Sequence, residues 1–444
     1  MADMAVPQEQ PIARTKGKVG LVYPGLGVPF ALLIACFAAW GSAANLTDVL
    51  VGVFRNIFTM SNFQSALVQF AYYGAYFSLA VPAAFINRRY GYKTGVLTGL
   101  GLAALGGFLF IPASRLLEYG FFLVALFVLA AGLSILETSA NPFVIAMGPE
   151  ENATQRLNLA QAFNPVGANV GVLMGAVLIL PRITPEDDKA SMTEVQLRQA
   201  QETDLSLVLN PYIGIAAALL LIWLLIAFRK MDTPSERTEA TEVRKGALGR
   251  LWRNRHYRYG VAAQFFNVAA QVSTWTFTIQ YAQDVVGVPV ARSGWFLQAS
   301  LILFLLARFL MVYLLGIFRP TKLLFAMGAL GVVLALIGVL SPNIVGLVAV
   351  VAISASLSLM FPTIYGVALQ GLGQDTKFGA AGLVMAILGG ALLPMVQGRV
   401  MDASSTNLGF IVPAICLALV AAYALFDLRT SRSHHALVAE GSHG

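Results

Sequence analysis

The chain alternates between apolar runs long enough to cross a bilayer and short polar connections. A helix rises 1.5 Å per residue, so about 20 apolar residues cross the hydrocarbon core. Twelve runs meet that length, at 27–54, 62–86, 93–113, 119–147, 156–181, 209–229, 258–283, 293–317, 321–340, 343–370, 377–399 and 408–428. Most are separated by punctuated stretches such as "SRLLEYG" and "GPEENATQR". Two connections are long, 182–208 and 230–257. The pattern predicts an all-α membrane protein, because backbone in lipid must satisfy its own hydrogen bonds. The second long connection divides the spans six and six. The expected organisation is a polar tail at 1–26, a six-helix bundle at 27–229, a basic linker at 230–257, a second bundle at 258–428 and a tail at 429–444.

The halves echo one another. "RRYGYKTGVLTGLGLAALGGFLF" after the second span is matched by "FRPTKLLFAMGALGVVLALIGVL" after the eighth. "SANPFV" in the fourth span is matched by "LMFPTIY" in the tenth, which sets Pro142 and Pro362 at corresponding depths. A helix break is expected at each. Duplicated halves with matching breaks mark secondary transporters, whose substrate sits near the midplane between the halves. Twelve helices in two six-helix bundles joined by a long linker is the major facilitator architecture.

Composition agrees with the spans. The chain of 444 residues is 57% hydrophobic and 11% charged, with a mean hydropathy of +0.73. A soluble domain carries about 25% charged residues. The net charge of +7 reflects topology rather than nucleic-acid binding. With both termini and the even-numbered loops on one side, that side holds 21 Lys and Arg against 7 on the other. The positive-inside rule then puts both termini in the cytoplasm of a multi-pass inner-membrane protein. The N-terminus "MADMAVPQEQPIARTKGKVG" has no cleavage site after a short apolar stretch, and reads as a cytoplasmic tail rather than a signal peptide. The linker, with nine basic residues from Arg229 to Arg258, reads as a headgroup-facing segment.

Enzyme chemistry finds little support. The histidines, His256, His434, His435 and His443, fall in a loop or the tail, and no HExxH, P-loop or GxSxG pattern occurs. Cys36 and Cys416 sit in separate apolar spans, so neither a disulfide framework nor a metal site is expected. No cofactor is expected. The expected partners are a small solute, protons and the lipid bilayer, with a monomer as the working unit.

Three charged residues interrupt the spans: Asp48, Glu137 and Arg308. A charge at the bilayer centre costs roughly 2.5–3.5 kcal/mol on insertion scales, so such residues face the protein interior or a water-filled path. Neither carboxylate has a Lys or Arg within a helical turn. Desolvation favours the neutral acid over the carboxylate. Either group can therefore take a proton on one side of the membrane and lose it on the other. The alternative is a hydrogen-bonded acid that only holds helices together. Arg308 either pairs with a carboxylate across helices or braces backbone carbonyls.

Uncharged polar residues suggest the cargo. Asn45 shares a helix face with Asp48, and Asn141 shares one with Glu137. In the fifth span Gln161 and Asn164 lie three apart. In the seventh, Gln264, Asn267 and Gln271 form a stripe that Trp275 extends by a turn. Amides donate and accept at once, which suits hydroxyl groups, and an aromatic plane packs on the C–H face of a sugar. Tyr365, after Pro362, is a further candidate. The set describes either a cavity for a neutral polyhydroxylated solute or interhelical glue.

The segments "NLTDVL", "LETSANPFV", "GPEENATQRLNLAQAFNPVG", "AQFFNVAAQVSTWTF" and "GLGQDTKFG" resemble the fucose–galactose–glucose:proton symporter family of the major facilitator superfamily, over about residues 25 to 428. The resemblance implies alternating access and proton-coupled uptake of a neutral monosaccharide, L-fucose-like or a related hexose. It implies an acidic pair for proton and sugar coupling at Asp48 and Glu137, and sugar contacts at Asn45, Gln161 and Asn164. The sequence departs from the family pattern at Ala44 and Thr47, where asparagines are expected, and at Asn267, where an aromatic residue is expected. The cavity's hydrogen-bond pattern differs accordingly. The alternatives are a uniporter whose carboxylates only bind sugar, and a sugar sensor that does not transport.

Overall fold

The apolar runs are helical. The computed structural model describes residues 20–57, 62–116, 118–174, 178, 182, 184, 189, 192–231 and 246–441, and within these the side chains of 47–57, 62–70, 172, 208, 290, 291 and 431–441 lie outside the description. The first half contains α1 (Gly27–Ile57), α2 (Asn62–Tyr90), α3 (Tyr92–Leu116), α4 (Tyr119–Ala146), α5 (Ala153–Gln161), α6 (Phe163–Met174) and α7 (Glu194–Ala227). A short helix, α8 (Ala247–Arg253), lies in the linker. The second half contains α9 (Arg255–Asp284), α10 (Val290–Leu315), α11 (Pro320–Leu340), α12 (Ile344–Leu357), α13 (Met360–Ala368), α14 (Thr376–Met385), α15 (Gly389–Ala403) and α16 (Ile411–Gly441).

Nine stretches among the described residues are long and apolar enough to cross a membrane. They take in α1, α3, α4, α7, α10, α11, the α12–α13 pair, the α14–α15 pair and α16. The polar helices α2 and α9 and the α5–α6 pair complete twelve spans in two six-helix bundles. The 30-residue helix α9 misses the apolar threshold because of its amides, not its length.

Three expectations change in detail. First, the connection at 182–208 is partly helical. Helix α7 starts at Glu194, where Thr193 and Gln196 form a capping box that satisfies the first free N–H groups. Second, α16 continues to Gly441, beyond the expected end at 428. Third, Pro142 does not break α4, which runs unbroken from Tyr119 to Ala146. Proline removes the N–H that would bond the carbonyl four residues back, at Thr138. The side chain of Asn87 on α2 takes over, donating Nδ2 to that carbonyl at 3.3 Å. Asn87 Oδ1 accepts from Ser139 Oγ at 2.8 Å. The matching segment in the second half is interrupted, between α12 and α13 just before Pro362.

Within the first half α3 lies along α4 and α1 along α6; within the second, α11 and α9 both pack on α16. The α1–α6 approach depends on glycine. A methyl group on Gly41 would fall on the Asn164 carbonyl, and one on Gly167 on the Ala38 carbonyl. Ser42 Oγ donates to the Gly167 carbonyl at 2.8 Å across the same contact.

The halves meet at the end where α2 finishes and α3 begins. There Phe85 packs edge-on against Phe378, with ring centroids 5.1 Å apart. Arg88 lies 5.7 Å from the same ring and Lys377 lies 5.2 Å from the Tyr92 ring. Asn158 Nδ2 donates to Thr363 Oγ1 at 3.1 Å, and Gln155 Nε2 to the Val312 carbonyl at 3.3 Å. The linker docks on the second half through a two-pronged contact, Arg250 Nε and an Arg250 terminal nitrogen to the two oxygens of Asp375 at 2.7 and 2.6 Å. Those hydrogen bonds push the Arg250 guanidinium pKa up from its ordinary value.

Candidate functional site

Above that seam the halves part around a cavity of about 200 Å³. One water needs only about 10–15 Å³ on this measure, so the space suits a solute rather than a single buried water. From the first half it is lined by Trp40 and Asn45 of α1, Glu137 of α4, Gln161 of α5, and Asn164 and Asn169 of α6. From the second half come Gln271 and Trp275 of α9, Phe304 and Arg308 of α10, and Phe361 of α13. Seven of the residues singled out from the sequence thus share one space: Asn45, Glu137, Gln161, Asn164, Gln271, Trp275 and Arg308.

Glu137 is fully buried, and neither carboxylate oxygen has a hydrogen-bond partner among the described residues. One turn further along α4, Asn141 Oδ1 accepts from Gln161 Nε2 at 2.7 Å. This bond fixes the amide at the α5–α6 junction with its face to the cavity. Asn45 Nδ2 donates to the Gly41 carbonyl at 3.1 Å, and Asn164 Nδ2 to the Phe37 carbonyl at 3.4 Å. Their amide oxygens stay free of these bonds. Trp275 is held by a 3.0 Å bond from Nε1 to Ser354 Oγ and packs edge-on to Phe304, with centroids 5.1 Å apart. Arg308 sits 4.9 Å over the other ring of that pair, Phe304. It makes no ion pair with a described carboxylate, and its Nε has no partner among the described residues.

The remaining expected residues lie elsewhere. Asn141 is buried behind Gln161. Tyr365 is fully buried beside Asn141 and Glu137, with its hydroxyl donating to the Ala380 carbonyl at 3.4 Å. Gln264 and Asn267 are fully buried outside the cavity lining, and their amide groups have no partners among the described residues. Asp48 lies on α1, but its side chain is outside the described residues.

Sequence reasoning missed five aromatic residues and one amide. Trp40 Nε1 donates to Tyr76 Oη at 2.8 Å, and Tyr72 Oη lies 3.4 Å from the same oxygen. Trp40 brings this aromatic cluster to the cavity wall, and Glu137 is in electrostatic reach of Tyr76. Phe304 and Phe361 complete the apolar wall. None of these stands out in a chain with 11% aromatic residues. Asn169 was findable, as the second amide of the otherwise apolar α6.

A helical pair of bundles with a central polar cavity is the form of a secondary transporter. Comparison with known proteins gives the family. The Major Facilitator Superfamily model matches residues 30–388, and the chain belongs to that superfamily of membrane transporters. It is 38% identical to the L-fucose-proton symporter of Escherichia coli K12 over 413 residues, covering 91% of this chain and 94% of that protein. It is 34% identical to a glucose/galactose transporter of Brucella abortus over 410 residues, covering 91% of this chain and 95% of that one. Among solved structures it is similar to the superfamily transporter FucP in the outward conformation, with a TM-score of 0.85 and 38% identity, covering 90% of this chain and 99% of that one.

Proposed function

We propose that the chain is a proton-coupled importer of a neutral monosaccharide, L-fucose-like or a related hexose, working by alternating access. One observation carries the reading: a buried, unpartnered carboxyl, Glu137, shares a single interbundle cavity with the amides of Asn45, Gln161, Asn164 and Gln271 and the ring of Trp275. The named relatives carry fucose, glucose or galactose, which supports the substrate class.

In this reading the protein is a monomer of the cytoplasmic membrane with both termini inside. The closed seam then faces the cytoplasm and the cavity opens outward. Glu137, with Asp48, takes a proton from outside. Sugar binds among the amides with its C–H face on Trp275, and Asn141 holds Gln161 in position. The halves then rock about the site. Gln264 and Asn267 meet the sugar on the cytoplasmic side of the cycle, with Tyr365 close to Glu137. A membrane potential of 100 mV supplies about 2.3 kcal/mol per proton, or several-tens-fold accumulation. No cofactor takes part.

The test is uptake by energised proteoliposomes from a panel of radiolabelled sugars, with external pH recorded. The right sugar should alkalinise the medium as it enters, and Glu137→Gln should lose accumulation. Uptake with no proton movement would instead identify a uniporter. Binding with neither uptake nor counterflow would identify a sensor.

A further inference from the structure

Glu137 and Arg308 are the two charged side chains among the described cavity-lining residues, and they come from opposite halves. Each is buried, at 0% and 4% exposure, and each has polar atoms without a partner. On α10 the residues Leu301, Phe304 and Arg308 follow the i, i+3, i+7 spacing of one helix face, and all three line the cavity. The guanidinium is therefore aimed into the space Glu137 borders, resting on the Phe304 ring.

We propose that Arg308 is the counter-charge of deprotonated Glu137: in the empty carrier the two groups pair across a contracted cavity, and proton uptake by Glu137 separates them. The inference rests on Glu137 being the coupling acid. A buried charge is destabilising when alone and far less so when paired, so loss of the proton draws the two halves together at this level. When water on the outer side returns a proton to the carboxylate, the attraction ends and the cavity widens. Arg308 is then free to donate to sugar hydroxyls. On release inside, the carboxylic acid gives its proton to water and becomes the carboxylate that Arg308 meets. The arginine acts as a positioning residue that makes the empty return dependent on deprotonation.

The surroundings leave few rivals. Among the described residues the ionisable groups in electrostatic reach of Glu137 are Tyr76 of α2 and Tyr365 of α13; α1, which also packs on α4, carries Asp48, whose side chain lies outside them. Tyr92 of α3 stacks on Phe143, farther along α4, and Lys377 of α14 sits over Tyr92. On α5 the one ionisable group, Arg156, is taken up by backbone carbonyls at the end of α4, including that of Val144 at 2.7 Å. Around Arg308, helices α6 and α12 carry no ionisable residue, and those of α9 cluster at its two ends.

The test follows the Glu137 proton directly. Infrared titration of the purified full chain should show a carboxylic C=O band that disappears on deprotonation and is absent from E137Q. An arginine nearby favours the carboxylate, so R308Q should move the band's midpoint upward by about one pH unit, whereas R308K should hold it near the wild-type value. An unchanged midpoint in folded R308Q overturns the proposal. Spin labels at Phe121 and Trp295, exposed at the outer ends of α4 and α10, give a second measure that needs no Arg308 variant. The wild-type distance should shorten at alkaline pH, and that of E137Q should not respond. A distance independent of pH in the wild type also overturns it. Neither measurement requires the sugar, so a failure here is separate from uptake without proton movement, which would overturn symport instead.

Discussion

Asn87 is the residue whose removal tests the account of α4 most sharply. Pro142 leaves the Thr138 carbonyl without its helical partner, and Asn87 Nδ2 supplies one. Asn87→Ala removes that bond and the one from Ser139 Oγ. Ser139 keeps its bond to the Ile135 carbonyl at 2.7 Å, so the Thr138 carbonyl is the group left orphaned. An unsatisfied buried acceptor costs about 1–3 kcal/mol. The small void adds to it, and a total of about 2–3 kcal/mol is expected. In a Pro142→Ala background the restored N–H at position 142 reaches the same carbonyl. There Asn87→Ala should lose only the packing part, roughly 1 kcal/mol. SDS-driven equilibrium unfolding of the four proteins closes the double-mutant cycle, with an expected coupling of about 1–2 kcal/mol. Additivity within about 0.5 kcal/mol would refute the claim that Asn87 repairs the proline break.

The cavity gives further expectations. Gln161→Ala removes an amide that Asn141 holds in place, and should weaken sugar affinity about tenfold, the value of a hydrogen bond worth about 1.4 kcal/mol; tryptophan-fluorescence titration with L-fucose, D-galactose and D-glucose reads it. Trp275→Phe keeps an aromatic plane and loses only the bond to Ser354, so affinity should fall no more than about threefold, whereas Trp275→Ala should exceed tenfold. Equal losses for the two Trp275 variants would show that the ring does not stack on substrate.

Much of this arrangement is legible in the sequence, and the gaps have physical causes. Glu137 is conspicuous because a carboxylate in an apolar helix is expensive. Trp40, Phe304 and Phe361 are not, because an aromatic wall and an ordinary core have the same composition. The α9 stripe shows what periodicity omits. Gln264 and Gln271 lie on one face, yet seven residues separate them by about 10 Å along the axis. The pattern gives the face; depth relative to the closed seam decides that Gln271 reaches the cavity while Gln264 does not. Pro142 misleads for a related reason. Its local rule is sound, and a side chain 55 residues earlier in the chain, Asn87, cancels the consequence.

The seam itself sets a scale for motion. It is assembled from an edge-on ring pair, cations over rings and side-chain amide bonds between Asn158 and Thr363 and from Gln155 to Val312. The cation–ring contact of the exposed Arg88 is worth about 0.5–1 kcal/mol, that of the buried Lys377 about 2, and a single hydrogen bond about 1. No one of them matches the roughly 2.3 kcal/mol that 100 mV does on one elementary charge. The seam is a row of light latches, which can release one after another. Turnover should therefore respond smoothly to membrane voltage, without the threshold that a single strong clasp would impose.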